Sequence, residues 1–177
     1  MTSAPAPSLL IRDARPEDAA ALLSIYRPFV TDTVVSFETE APDEAEFARR
    51  IASAQEKWAW LVAESEGRIA GYAYGSVYRT RAAYRFSTEV SAYVHADFRG
   101  RGVGRALYER LFEVLAGLGY CTAYAGIALP NDASLALHQS VGFTPIGVFR
   151  RAGWKFGRWN DVSWWQRTLR DRPENAD

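Results

Sequence analysis

Residues 87–104 read STEVSAYVHADFRGRGVG, and residues 105–119 continue RALYERLFEVLAGLG. In the first part Val90, Ala92 and Val94 alternate with Glu89, Ser91 and Tyr93. That period of two gives a strand with one apolar face and one face free for chemistry. In the second part Val103, Leu107, Leu111, Val114 and Leu118 recur every three or four residues, a single apolar helical stripe. Between them Arg99-Gly100-Arg101-Gly102-Val103-Gly104 forms a tight basic turn. A glycine turn that opens a helix leaves the first backbone N–H groups unpaired, and the helix dipole adds partial positive charge there. Such a turn suits a phosphate or pyrophosphate, and Arg99, Arg101 and Arg105 add formal charge.

The glycine spacing narrows the ligand. A nucleoside-triphosphate loop needs GxxxxGK[ST], and no lysine follows these glycines. A dinucleotide loop needs GxGxxG, whereas here the glycines stand at 100, 102 and 104. Arg99-x-x-Gly102-x-Gly104 resembles the pyrophosphate loop of the GNAT acyltransferases, which hold acetyl-CoA. A plain strand-to-helix turn with solvated arginines would show the same letters.

Composition sets the outer bounds. The chain has 177 residues, 48% of them apolar, which suits one globular domain with a sizeable core. The formal net charge is zero. That argues against a general nucleic-acid or membrane-surface binder, which carries a basic excess. The single cysteine, Cys121, excludes an intramolecular disulfide and fits a reducing compartment. The start, MTSAPAPSLLI, lacks the basic region and apolar run of a signal peptide, and no apolar run is long enough to span a bilayer. A cytoplasmic protein is the expectation. Lys57 and Lys155 are the only lysines among 21 basic residues.

Along the chain, residues 1–8 and 171–177 are expected to be loose tails around one domain at 9–170. Leu9–Arg12 predicts a strand. Pro16-Glu17-Asp18 starts a helix that buries Leu22, Leu23, Ile25, Tyr26 and Phe29, although Arg15 is a poor cap. Thr31–Thr39 is a loop or extended segment containing Phe37. Pro42-Asp43-Glu44 opens a second helix with Phe47 and Ile51 inward. Trp60–Ala63 and Ile69–Tyr78 flank a hairpin turn at Glu66-Gly67-Arg68. Thr80–Arg85 is an arginine-bearing loop. Tyr120–Leu129 is a strand, Pro130-Asn131-Asp132 starts a helix, and Gly142 ends it. Phe143–Arg150 and Val162–Leu169 form a closing strand pair around a Gly/Trp-rich loop, Gly153–Asp161. The order β-α-α-β-β-β-α-β-α-β-β is a single mixed α/β (α+β) domain.

Several separated blocks carry a narrower resemblance. Asn131, His138 seven residues later, and Gly142-Phe143 look like the fourth GNAT motif, with His138 where most relatives have a tyrosine proton donor. VSFETE (35–40), WLVAE (60–64), RTRAAY (79–84), STE (87–89), LPND (129–132) and AGWKFGRWNDVSWWQR (152–167) resemble the phosphinothricin and methionine sulfone/sulfoximine N-acetyltransferases. The similarity covers roughly residues 9–168. It implies one GNAT domain with a mixed, mostly antiparallel twisted sheet and helices on both faces. It also implies acetyl-CoA as donor, no metal, and direct attack of a small amino acid's amine on the thioester; the alternatives are a different small amine as acceptor or an acyl-CoA-binding module without turnover.

The chemistry needs a neutral amine, a polarised thioester carbonyl and a proton for the leaving thiol. Glu89, on the polar face of the strand feeding the loop, is the candidate base; a surface ion pair with an arginine is the plainer alternative. His138 is the candidate acid, or shares base duty. Tyr93 is a second acid candidate or simple aromatic packing. The backbone of Tyr93 and Val94 is expected to pair with the pantetheine arm, and the Arg99–Arg105 turn with the diphosphate. Asn131 and Ser134, at the head of the last helix, complete the coenzyme set. By the resemblance Arg79, Arg81 and Tyr84 are expected to hold the acceptor's anionic groups, a solvated basic loop being the plainer alternative, with Phe37 as a pocket wall or equally a core residue. Trp154, Trp159, Trp164 and Trp165 read as core and interface residues, and the resemblance implies a homodimer. Neither nucleic acid nor membrane is expected as a partner.

Overall fold

Trp60-Leu61-Val62-Ala63 has no polar face, so a strand made of it must be covered on both sides. In the computed structural model of the protein, which describes residues 9–171, this run is strand β2 (Trp60–Ser65), and all four side chains are buried. They divide between two cores. Trp60 and Val62 pack with Leu22, Tyr26, Phe47 and Ile51 of helices α1 (Ala19–Thr31) and α2 (Glu44–Gln55). Leu61 and Ala63 pack with Leu107, Leu111 and Leu115 of α3 (Val103–Gly117) on the other face.

The remaining strands are β1 (Leu9–Asp13), β3 (Arg68–Val77), β4 (Ser87–Val94), β5 (Thr122–Ala128), β6 (Thr144–Lys155) and β7 (Arg158–Thr168), with α4 (Asp132–Ser140) between β5 and β6. One seven-stranded sheet runs β1-β2-β3-β4-β5-β7-β6. Every neighbouring pair is antiparallel except β4 and β5. The element order and the two-sided helical cover match the expectation from sequence.

The parallel pair positions the site. Strands β4 and β5 pair only at Ser87, Thr88 and Glu89, opposite Thr122, Ala123 and Tyr124. Past Glu89 they separate, and the β5-facing backbone of Val90–Val94 has no strand partner. An open cleft in mid-sheet leaves N–H and C=O groups free for water or a ligand.

Three local expectations are corrected. The buried stripe of α3 is Val103, Leu107, Tyr108, Leu111, Phe112 and Leu115, while Val114 is half-buried and Leu118 is 54% exposed. A helix that covers both a sheet and α4 needs a wider apolar face than one seam. Gly153–Asp161 is not a loop but the end of a long hairpin. β6 and β7 stay paired to Lys155 and Arg158 around a two-residue turn, Phe156-Gly157, with φ of 52° and 70°. Positive φ at both central residues matches the strand twist. Finally, α1 is entered through a 3₁₀ turn, Pro16–Asp18. The Asp18 carboxylate reaches back to the Arg15 N–H at 2.7 Å and also holds the Arg12 guanidinium, replacing the missing cap. The tail expectations fall, apart from residue 171, outside the described residues.

Candidate active site

The basic turn leaves its glycine backbone open. Gly100 and Gly102 have φ of +72° and +79°, and Gly102 is the N-cap of α3. An L side chain is strained in this conformation. Nothing lies within 4 Å of where a Cβ would sit on either, so the backbone faces open space. Gly104 differs: a Cβ there would meet Leu137 Cδ2 at 2.9 Å, so this glycine serves the α3–α4 packing. Arg99 and Arg101 lie over the rings of Phe29 and Phe98 at 5.3 and 5.5 Å, and among the described residues neither pairs with an acid. Arg105 is paired with Glu109 at 2.8 Å along the outer helix face.

The parting of β4 and β5 opens two adjoining cavities. The larger, about 360 Å³, is lined by Val35, Phe37, Glu89, Phe149 and Trp164 among others. The smaller, about 60 Å³, is lined by Ala92, Tyr108, Asn131, Ser134 and His138. Val35, Ser91, Tyr93, Gly126 and Ala128 belong to both walls. A separate groove of about 430 Å³ between α2 and β3 holds neither Glu89 nor His138.

Glu89 stands at the last paired rung, and its carboxyl makes no hydrogen bond among the described residues. Burial pushes its pKa above the ordinary carboxylate range, and the Arg79 charge opposes that shift. A carboxyl so placed takes a proton more readily than one on the surface.

His138 is buried between Tyr108 and Phe143. Its Nδ1 is 2.7 Å from the Ser134 carbonyl oxygen. A carbonyl only accepts, so Nδ1 carries the hydrogen in the neutral ring. Nε2 then accepts from the Tyr108 hydroxyl at 3.0 Å. Burial lowers the His138 pKa, which keeps the ring neutral. Asn131 Oδ1 accepts the Ser134 N–H at 3.2 Å, so it caps α4 while facing the small cavity.

The structure thus gathers Phe37, Glu89, Tyr93, Asn131, Ser134 and His138 around one cleft. Tyr93 is set among Tyr26, Phe29 and Tyr72, ring centroids 5.0–5.3 Å away, and burial raises its pKa well above a free phenol's. Arg79 lies over the Tyr78 ring at 4.7 Å, and its charge is felt at Glu89. Arg79, Arg81 and Tyr84 are all exposed and outside the lining of either cavity, the last two at a 3₁₀ turn. Sequence reasoning missed Tyr108, hidden inside the apolar stripe of α3; its one signal is that a buried tyrosine needs a hydroxyl partner. It also missed Ser91 and Trp164, which become wall residues only through long-range strand pairing. Among the described residues no group of three or more His, Cys, Asp or Glu side chains is placed to hold a metal, and no helix is long and apolar enough to cross a membrane.

Comparison with known proteins agrees with this geometry. The phosphinothricin N-acetyltransferase of Streptomyces viridochromogenes is 38% identical over 157 residues, covering 89% of this chain and 86% of its own. The L-methionine sulfoximine/L-methionine sulfone acetyltransferase of Salmonella typhimurium is 35% identical over 162 residues, covering 91% and 95%. A solved structure of a GNAT superfamily phosphinothricin acetyltransferase from Sinorhizobium meliloti in complex with AcCoA superposes with a TM-score of 0.89 at 36% identity, covering 95% of this chain and 92% of that one. The acetyltransferase (GNAT) domain family matches residues 11–164, and with the split sheet, the αL glycine turn and these relatives, the chain belongs to that family.

Proposed function

We propose that the protein transfers an acetyl group from acetyl-CoA to the free amine of a small amino-acid-like acceptor of the phosphinothricin or methionine sulfone/sulfoximine class. One observation carries this reading: Glu89, unpaired and with a raised pKa, sits where the sheet opens, between an acceptor-sized cavity and the coenzyme cleft. The residues present fit the coenzyme. The open αL glycines and the free N–H groups at the head of α3, with Arg99 and Arg101, suit its diphosphate. The unpartnered backbone at Tyr93 and Val94 suits the amides of its pantetheine arm. Asn131 and Ser134 flank the cleft from the other side. When bound, acetyl-CoA supplies the acetyl thioester.

The chain's own residues manage protons. Glu89 accepts one from the acceptor's ammonium, directly or through a water, leaving a neutral amine. Tyr108, at the far wall of the small cavity and hydrogen-bonded to His138, gives its hydroxyl proton to the leaving sulfur and regains one, the proton that the attacking amine releases. Arg79 holds the acceptor's anionic group near Glu89, and Arg81 and Tyr84 form an outer rim. Phe37 walls the pocket.

We also infer a cytoplasmic homodimer. Edge strand β6 exposes Ile146, Val148 and Phe149, and the hairpin end exposes Trp154, Phe156 and Trp159, an apolar face that a second copy would cover. The test of activity is thiol release from acetyl-CoA with a panel of amines that includes phosphinothricin, methionine sulfone and ordinary amino acids. Release with the first two supports the proposal. CoA binding with no release for any amine contradicts it.

A further inference from the structure

Lys155 ends β6 at the tip of the hairpin, yet its side chain turns inward and is 4% exposed. A buried ammonium is costly unless its N–H groups find acceptors. Nζ donates to the Val30 carbonyl at 2.6 Å and to the Ser36 carbonyl at 2.7 Å. Among the described residues no carboxylate lies within 4 Å of it. Val30 is in the last turn of α1, where carbonyls lack helical partners and the dipole end is negative, a natural seat for a cation. One side chain therefore joins a helix end, the 32–43 segment and the hairpin, across sequence separations of 125 and 119 residues.

Both ends of this tie are fixed. Ser36 Oγ lies 2.8 Å from the Tyr26 hydroxyl and accepts the Glu38 N–H at 3.1 Å. Glu38 in turn holds Arg50 of α2 at 2.6 Å. On the hairpin side, Asn160 Nδ2 donates to the carbonyls of Lys155 at 3.3 Å and Arg158 at 3.0 Å. Phe37 follows Ser36 directly, and its ring lies against Gly153, two residues before Lys155. A Cβ on Gly153 would sit 2.3 Å from that ring. The Phe37 wall is thus held through its neighbour's carbonyl and against the hairpin backbone.

We propose that Lys155 is a positioning residue for the acceptor pocket: by tying the Val30 and Ser36 carbonyls to the hairpin, it places the Phe37 ring and so sets acceptor affinity. This rests on the acceptor-pocket reading of the cavity beside Glu89.

The test compares wild type, Lys155→Met and Lys155→Arg in the full chain, by steady-state kinetics with acetyl-CoA and methionine sulfone or phosphinothricin. Amide hydrogen exchange over residues 34–38 is followed in parallel. Lys155→Met is expected to raise the acceptor KM about tenfold or more while the acetyl-CoA KM stays within about twofold. Exchange at 34–38 speeds up in the same variant, and Lys155→Arg, which keeps N–H donors, recovers part of both effects. Unchanged acceptor KM with unchanged exchange overturns the proposal. Wild type that acetylates none of the acceptors overturns the acetyl-transfer reading instead, and the exchange result then decides the role of Lys155 alone. Should Lys155→Met fail to fold, Gly153→Ala displaces the same ring without touching the lysine. A raised acceptor KM in that variant upholds the placement of Phe37 by the hairpin, and an unchanged one overturns it.

Discussion

The Tyr108 hydroxyl donates to Nε2 of His138 across 3.0 Å, while Nδ1 of the same ring is committed to the Ser134 carbonyl. Nε2 carries no proton and Nδ1–H is committed, so on the proposed acetyl-transfer reading the leaving sulfur takes the Tyr108 hydroxyl proton as that hydroxyl turns from Nε2. Tyr108→Phe is therefore expected to lower kcat about ten- to a hundredfold with little change in either KM. Leaving Nε2 buried without a partner should also cost about 1–3 kcal/mol of stability. Steady-state kinetics and denaturant unfolding check the two parts.

Burial holds the His138 pKa below its free value, so between that lowered value and the free value of about 6.5 the unfolded chain binds more protons than the fold. The stability from keeping this ring neutral is complete above the free value and is lost as pH falls through that window. Wild type should lose unfolding free energy between pH 7.5 and 5.5 more steeply than His138→Asn. Parallel pH slopes for the two proteins, from denaturant melts, would contradict the buried neutral ring.

Arg79 works against the upward shift of the Glu89 pKa. Removing its charge lets burial act unopposed. Arg79→Ala should move the acid limb of the pH–rate profile to higher pH and raise the acceptor KM. Arg81→Ala, on the outer rim, should raise the acceptor KM with a smaller change in kcat and leave that limb in place. A limb that stays put in Arg79→Ala would separate the two charges.

Gly102 holds φ of +79° in open space, so alanine there meets strain but no clash. Gly102→Ala should cost about 1–2 kcal/mol of stability. It should also raise the acetyl-CoA KM without changing the acceptor KM, which initial-rate kinetics with each substrate varied in turn will show.

The parts that were legible before the structure are those encoded locally. Val90, Ala92 and Val94 announce a two-faced strand, and Gly102 at the head of an apolar stripe announces a glycine-capped helix start. What was hidden depends on partners far along the chain. The parting of β4 from β5 after Glu89 is a pairing between segments about 35 residues apart, which no short window contains. Tyr108 stands outside the stripe read from sequence, and nothing local marks it before α4 brings His138 against it. Nothing local marks Lys155 as buried, because the two carbonyls that receive it are more than a hundred residues away. The Phe156-Gly157 turn was masked by flanking tryptophans and by the absence of the Asn-Gly or Asp-Gly pair that marks such hairpins. Arg79, Arg81 and Tyr84 show the opposite case: the RTRAAY resemblance is clear in the sequence, while all three side chains stand outside the cavity lining.

The role of Glu89 is tested most directly by thiol release from Glu89→Gln at saturating acetyl-CoA and methionine sulfone, with acetyl-CoA affinity measured on the same preparation. A neutral isostere keeps the shape of the cleft and removes only the proton acceptor. Turnover should fall about 10²–10⁴-fold with acetyl-CoA affinity unchanged. Turnover equal to wild type would contradict the assignment of Glu89 as the base.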